Sequence, residues 1–394
     1  MNTIKQEALT LQPQLVALRR RLHQCPELGS NLPKTRAIIT EQLVGQGLSV
    51  TECAGGLIAQ IGNSGPVVLL RADMDALPMQ ECSGLPFAAT GSAAHTCGHD
   101  LHTTMLLGAA ELLCRHRETL NGTVRLLFQP DEENARGAKA MLDAGAGEGV
   151  CAALGMHVAP GQPVGQLNCT VKEKTASYDR FVLTISGTGG HGAMPHLAAD
   201  PIQVASRICL ACQELVSMEC APGSGAVVTI GSFHAGDAAN SIPATAVLEG
   251  TIRSTKEADR QHLCIRLKEI SEGIARTFRT RAELKMVTGV PVLYNAPELC
   301  PAIVDALREN LGSSAVDDTP QRLSASEDFA LFAQQIPSVY LTIGTGEAKD
   351  GFCYGNHHPS VRYDESALSV GAAAYAICAQ ALLEKCKAEK KAII

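Results

Sequence analysis

Near residue 177 the chain changes rhythm, and this change limits the possible folds more than any other feature of the sequence. From there the segments read as strand, helix, strand, strand, helix and strand: DRFVLTISG, PIQVASRICLACQELV, AVVTIGSF, TAVLEGTIRS, EADRQHLCIRLKEISEGIARTF and AELKMVTGV. The period of the apolar positions switches between 2 and 3.6 at each boundary. The order βαββαβ is the split βαβ of a ferredoxin-like domain, and it closes near residue 293. Before it, LQPQLVALRRRLHQ, PKTRAIITEQLVGQ and LHTTMLLGAAELLCRHR read as helices and GLIAQIG, PVVLLRAD, TVRLLFQP and CAALGMHV as strands. After it, helix and strand signals resume with PAIVDALREN, SEDFALFAQQ, SVYLTIGTG and ESALSVGAAAYAICAQALLEK. The expectation is an α/β fold: a domain with a central sheet, built from residues 1–176 and 294–394 and interrupted by an inserted α+β domain over 177–293. A length of 394 residues agrees, since single cores usually stop growing below that size.

A net charge of −7 carries no basic excess for binding nucleic acid. The start, MNTIKQEALTLQPQL, lacks a signal-peptide pattern, and no run approaches the roughly 18 apolar residues of a membrane span, so a cytoplasmic protein that does not enter membranes is expected. The 15 cysteines show no paired spacing of a disulfide framework or zinc finger and read as small core residues. Cys209 and Cys212 form a CxxC, but inside a helical apolar pattern. Cys97 differs from the rest, because histidines flank it on both sides in HTCGHDLH.

Three strands of the first domain end alike. VVLLRAD ends in Asp73, with Asp75 two residues on; VRLLFQP is followed by Asp131, Glu132 and Glu133; CAALGM is followed by His157. Open α/β sheets bind ligands beyond the carboxyl ends of their strands, where these side chains and the 95–102 cluster could converge. A thiolate, imidazoles and carboxylates together suit a transition metal such as Zn(II) or Mn(II) rather than Mg(II) or Ca(II). A helix N-terminus and a bound cation would each lower the Cys97 pKa. Blander readings stand beside these: Asp100 as a helix cap, His102 as a packing or supporting histidine, Glu132 and Glu133 as a solvated loop, and Cys97 as a thiol nucleophile with a histidine base.

The motifs RADMDALP, HTCGHDLHTTMLLGAA, FQPDEENARGAKAML, GMHVAPGQPVG, GTGGHGAMPHLAADPI, NSIPATAVLEGTIRS, SEDFALFAQQIP and HHPSVRYDE occur in order along nearly the whole chain. Together they resemble the metal-dependent aminoacylase/carboxypeptidase amidohydrolases, in the branch of hippurate hydrolase, the indole-acetyl-amino-acid hydrolases and N-acetyldiaminopimelate deacetylase. The resemblance implies two divalent metal ions, Mn(II) or Zn(II), held by Cys97, His99, Glu133, His157 and His357, with His357 chosen over its neighbour His358. It implies Glu132 as general base, Asp73 as the residue that orients the site, and His191 of the inserted domain as a stabiliser of the carbonyl oxygen. Asn240 and Arg253 would hold the free carboxylate of the substrate. His196 has no expected role beyond structure.

Arg71 stands where other branches carry a metal-binding histidine, and Asp131 replaces a small residue, adding a negative charge beside the site. The implied reaction is hydrolysis of a small N-acyl amino acid to a carboxylate and a free amino acid. Dipeptidase or carboxypeptidase action of the same site is the alternative. The inserted domain would act as a lid and as the contact of a homodimer or higher homo-oligomer.

Overall fold

A computed structural model describes residues 3–323 and 325–392. The chain divides into two compact units: the segments up to Lys174, Tyr294–Gln321 and Asp328 onward form the first, and Thr175–Leu293 with Arg322–Glu327 form the second. Periodicity gave no sign that the 322–327 stretch belongs to the second unit. Backbone pairing ties it there, through the parallel bridge Thr175–Leu323 and the bond from Ala176 N to Ala325 O (3.2 Å).

The first unit is built on an eight-stranded sheet. Its middle is parallel: Thr123–Gln129, Val67–Asp73, Val150–Ala159 and Ser338–Gly344 lie side by side in that order. Gly56–Ile61 and Val50–Cys53 extend one edge antiparallel. The central strands are apolar on both faces; Ser338–Gly344 is buried at all seven positions, as expected of a sheet covered on both sides. From Val67–Asp73 the chain moves to one neighbour, Thr123–Gln129, and then crosses to the other, Val150–Ala159. The strand order therefore reverses around Asp73, the kind of switch point where α/β sheets open a cleft at their carboxyl ends.

Helices Thr3–His23, His99–Arg115, Cys300–Leu311 and Ala367–Ala392 share a continuous core with this sheet, including Leu15, Leu106, Ile303 and Leu382. The C-terminal helix corrects one expectation. Its segment Ala367–Ala388 is long and apolar enough to cross a membrane, although its alanines and glycine hid this from inspection for large apolar residues. In the fold it is a core helix, with 78% of its apolar window buried. Within SEDFALFAQQ, α-helix forms over Ala330–Ala333.

In the second unit the strands Tyr178–Ser186, Val227–Ala235, Thr245–Arg253 and Arg281–Val290 form an antiparallel sheet, in which the first and third lie centrally. With helices Pro201–Glu219 and Glu257–Thr277 this is the arrangement that βαββαβ dictates. Asp200 starts the first helix by accepting a bond from Ile202 N at 2.9 Å, with Pro201 just inside. Phe181, Leu183, Ile208 and Leu267 fill the core. Cys212 of the CxxC is buried there, and burial pushes its thiol up to about 12.

Gly98 places the metal-type cluster at the start of helix His99–Arg115. Its φ of 83° is in the left-handed region, and a Cβ there would lie 2.5 Å from Val158 Cγ2. Gly98→Ala should therefore destabilise the protein by about 1–3 kcal/mol. Thermal melting tests this: Val158→Ala in addition should recover only part of the loss, and an unchanged Tm for Gly98→Ala would refute the constraint.

Candidate metal centre

Each candidate ligand of the first unit sits at an element boundary near the carboxyl edge of the sheet. Cys97 and His99 flank Gly98, His157 lies near the end of Val150–Ala159, and Glu132 and Glu133 follow Thr123–Gln129. His357 is brought in by a loop whose backbone bonds back to this region, His357 N donating to Thr96 O at 2.8 Å. Two sets of three side chains bring their ligand atoms within 4.8 Å of one another: Cys97 with His99 and His157, and Cys97 with Glu133 and His357. Cys97 is common to both, and a further set joins His99 to Glu132 and Glu133. His358 instead stacks on Tyr354, with ring centroids 4.0 Å apart, and accepts from Ser360 N, which separates it from the cluster that His357 joins.

The residues fit cations. His99 Nδ1 and Nε2, Glu133 Oε1 and Asp75 Oδ1 are buried without a hydrogen-bond partner, a costly arrangement unless something else satisfies them. His157 donates from Nδ1 to Val158 O at 2.8 Å, which leaves Nε2 as a lone pair 3.4 Å from Cys97 Sγ. Burial pushes His157 down to about 3, so its imidazole is neutral, as a ligand must be. Glu133 is held below its ordinary range: burial pushes it up, but His357, with Nε2 3.5 Å from Oε1, and the charge of His99 outweigh this.

Cys97 is buried. Burial pushes its thiol well above 9.0, despite the nearby helix start and the opposing charge of His99. A bound cation would lower it and make it a thiolate. His99 is raised well above 6.5: burial pulls it down, while the charge of Asp73 pushes it further up.

Asp73 is fully buried and held well below 3.8; burial raises it, and His99, His102 and Arg71 outweigh that effect. Its Oδ1 lies 2.6 Å from His102 Nδ1, and its Oδ2 accepts from Arg71 Nη1 at 2.8 Å. Val158 N donates to His102 Nε2 at 2.9 Å, so both His102 nitrogens are occupied and it supports the site without being a ligand. Arg71 is buried as well, in place of a ligand, with Gln129 and Asp328 as further partners. Asp131 is tied into the turn. Its backbone takes a φ of 58°, and its carboxylate turns to Asn134 Nδ2 at 2.6 Å.

Asp100 is neither the helix cap nor a ligand. Gly98 holds the N-cap position, and Asp100 is buried against Arg19 Nε and His23 Nδ1, both at 2.8 Å. Sequence reasoning missed these partners, although a signal existed: Arg19 falls in the apolar stripe Ala8, Leu11, Leu15 and Leu22 of the first helix. Asp75 was noticed but given no role. It lies 3.3 Å from His99 Nδ1 and accepts from Glu133 N at 3.2 Å, so it orients two candidate ligands.

His191, Asn240 and Arg253 belong to the second unit and are exposed. His191 pairs with Ser241 in a short ladder, and Gly192 N donates to Asn240 O at 2.9 Å, which sets the two residues side by side. Arg253 ends its strand with the guanidinium 4.6 Å from the centre of the Tyr178 ring. His196 is exposed in a short turn, Pro195–Leu197.

The model of peptidase family M20/M25/M40 matches residues 69–381. The chain belongs to this family. It is 37% identical to the N-acetyl-L-cysteine deacetylase of Bacillus subtilis over 93% of this chain and 88% of that one. It is 36% identical to the IAA-amino acid hydrolase ILR1-like 5 of Arabidopsis thaliana over 91% and 84%. The crystal structure of the B. subtilis YxeP protein, a dinuclear metal-binding peptidase of the M20 family, superposes with a TM-score of 0.81 at 34% identity, covering 95% of this chain and 99% of that one. The candidate ligand sets thus lie in an M20-family, metal-dependent hydrolase.

The Arg19–His23–Asp100 cluster generates a pH prediction. Burial lowers His23, but Asp100 and Glu81 together raise it above 6.5, against the charge of Arg19. A raised folded-state value means that the protonated ring stabilises the fold fully below about pH 6.5 and loses this effect as pH rises through the folded-state value. The unfolding free-energy gap between wild type and His23→Gln, measured in urea, should be larger near pH 5.5 than near pH 8.5. A gap that grows with pH would contradict the assignment.

Proposed function

We propose that this M20-family enzyme hydrolyses the amide bond of N-acyl amino acids, releasing a carboxylate and a free amino acid. The observation that carries the reading is the pair of ligand sets sharing Cys97, with Glu132 beside Glu133. Two divalent cations, Mn(II) or Zn(II), would polarise the scissile carbonyl and make water acidic enough to attack at neutral pH. We assign their retention to Cys97, His99, Glu133, His157 and His357.

The chain's own residues divide the remaining work. Glu132 takes a proton from the attacking water and delivers it to the leaving amine, a task that requires it not to be a ligand. Asp73, through His102, and Asp75, through His99 and Glu133, fix the orientation of the cluster. To the second unit we assign recognition: His191 for the carbonyl oxygen as charge develops, and Asn240 with Arg253 for the free carboxylate. Exposure leaves all three available to a ligand. We further assign to this unit the contact of a homo-oligomer, and to the protein a cytoplasmic location.

The test is amine release by chelator-stripped protein from N-acetyl, N-benzoyl and indole-3-acetyl amino acids and from dipeptides. Activity should return only with added Mn(II) or Zn(II) and favour the N-acyl substrates. Glu132→Gln should lower kcat by about 10²–10⁴-fold while the protein still takes up metal. Activity indifferent to metal, or confined to dipeptides, would overturn the reading.

A further inference from the structure

We propose that Asp328 is a positioning residue, whose buried carboxylate clamps both ends of the Glu132–Glu133 turn and holds Arg71 against Asp73. The turn leaves the sheet at Gln129 and rejoins regular structure at helix Gly137–Asp143. Asp328 is bonded on both sides of it: Gln129 Nε2 donates to Oδ1 at 2.7 Å and to Oδ2 at 2.9 Å, and Ala138 N donates to Oδ2 at 3.0 Å. Arg71 Nη2 donates to Oδ1 at 3.0 Å, Arg71 Nη1 to Asp73 Oδ2 at 2.8 Å, and Arg71 Nε to Gln129 Oε1 at 3.0 Å. Arg71, Gln129 and Asp328 thus close a ring of side chains, each no more than 1% exposed.

The turn needs such a clamp. Asp131 and Ala135 hold φ of 58° and 54°, a conformation that L-residues avoid, so the loop does not keep this shape by local preference. Gly137 is required where the turn closes, because a Cβ there would overlap the Pro130 carbonyl oxygen. Between these points stand Glu132 and Glu133, and the Asp328 backbone N–H faces Glu132 Oε1 at 3.5 Å. One carboxylate therefore fixes the path of the strand that ends at Gln129, the helix that starts at Gly137, and the cation that holds Asp73. A carboxylate suits the three donors that reach it, and an asparagine amide would turn N–H against at least one of Arg71, Gln129 or Ala138, even though a Glu132 and a Glu327 oxygen also lie within 4.8 Å of it.

The effect on turnover rests on the amidohydrolase reading above, so the experiment has a second readout that does not. Stripped wild type, Asp328→Asn, Gln129→Met and the exchange Asp328→Asn/Gln129→Glu are titrated with Co(II), following its visible absorption, and assayed with N-acetyl-L-cysteine in the reconstituted state. Circular dichroism and Tm report folding.

Asp328→Asn should weaken Co(II) binding at least about tenfold and lower kcat about a hundredfold, with KM within about threefold, as expected of misplaced reacting groups. The exchange should recover at least about a tenfold part of the kcat loss, since it returns a carboxylate to the Arg71 ring. If Asp328→Asn does not fold, Gln129→Met decides, with about a tenfold loss expected in kcat. Folded variants with Co(II) affinity and kcat within about twofold of wild type would overturn the proposal, as would a lower Tm with both readouts intact. Wild type that binds Co(II) but hydrolyses no N-acyl amino acid would overturn the function and leave the Co(II) comparison to judge the clamp.

Discussion

The carboxylate of Asp73, fully buried at the switch point of a parallel sheet, is the constraint around which the rest of the first unit is arranged. An unpaired charge in such a place costs several kcal/mol, and the neighbours that offset the cost are those that shape the site. His102 on one oxygen and Arg71 on the other leave Asp73 ionised beside His99. Each of these partners then needs its own: Val158 N for His102, Asp328 and Gln129 for Arg71. Satisfying one charge in the interior thereby fixes the strand ends and the loop between them, and the cation-binding groups inherit that rigidity.

Much of this was legible in the sequence because the relevant signals are local. Strand ends carrying Asp73, the Glu132–Glu133 pair and His157 can be read from apolar runs that stop at a charged residue, and the α/β topology says that such ends share an edge. The βαββαβ order of the second unit follows from periodicity alone. What stayed hidden depends on contacts between distant positions. Asp328 meets Gln129 across 199 residues and Arg19 meets Asp100 across 81, and no spacing rule pairs them. Arg322–Glu327 joins the second unit by backbone hydrogen bonds, which leave no trace in side-chain pattern.

Two residues show how surroundings shape a legible side chain. Residue type and neighbours point to Cys97 as a thiolate ligand, and its burial, which pushes the thiol up, makes a bound cation the condition for that charge. Asp131 suggested extra negative charge at the site, yet its left-handed backbone directs the carboxylate to Asn134, making it a part of the turn's shape. Residue type is legible in both cases, and burial in the first and backbone conformation in the second decide what it does.

The central claim, that Cys97 is shared by two cation positions, is tested most directly by crystals of the Zn(II)-loaded protein measured on both sides of the zinc absorption edge. The account predicts two anomalous peaks per chain, one among Cys97, His99 and His157 and the other among Cys97, Glu133 and His357. A single peak, or two peaks with the Cys97 sulfur bonded to neither, would contradict it.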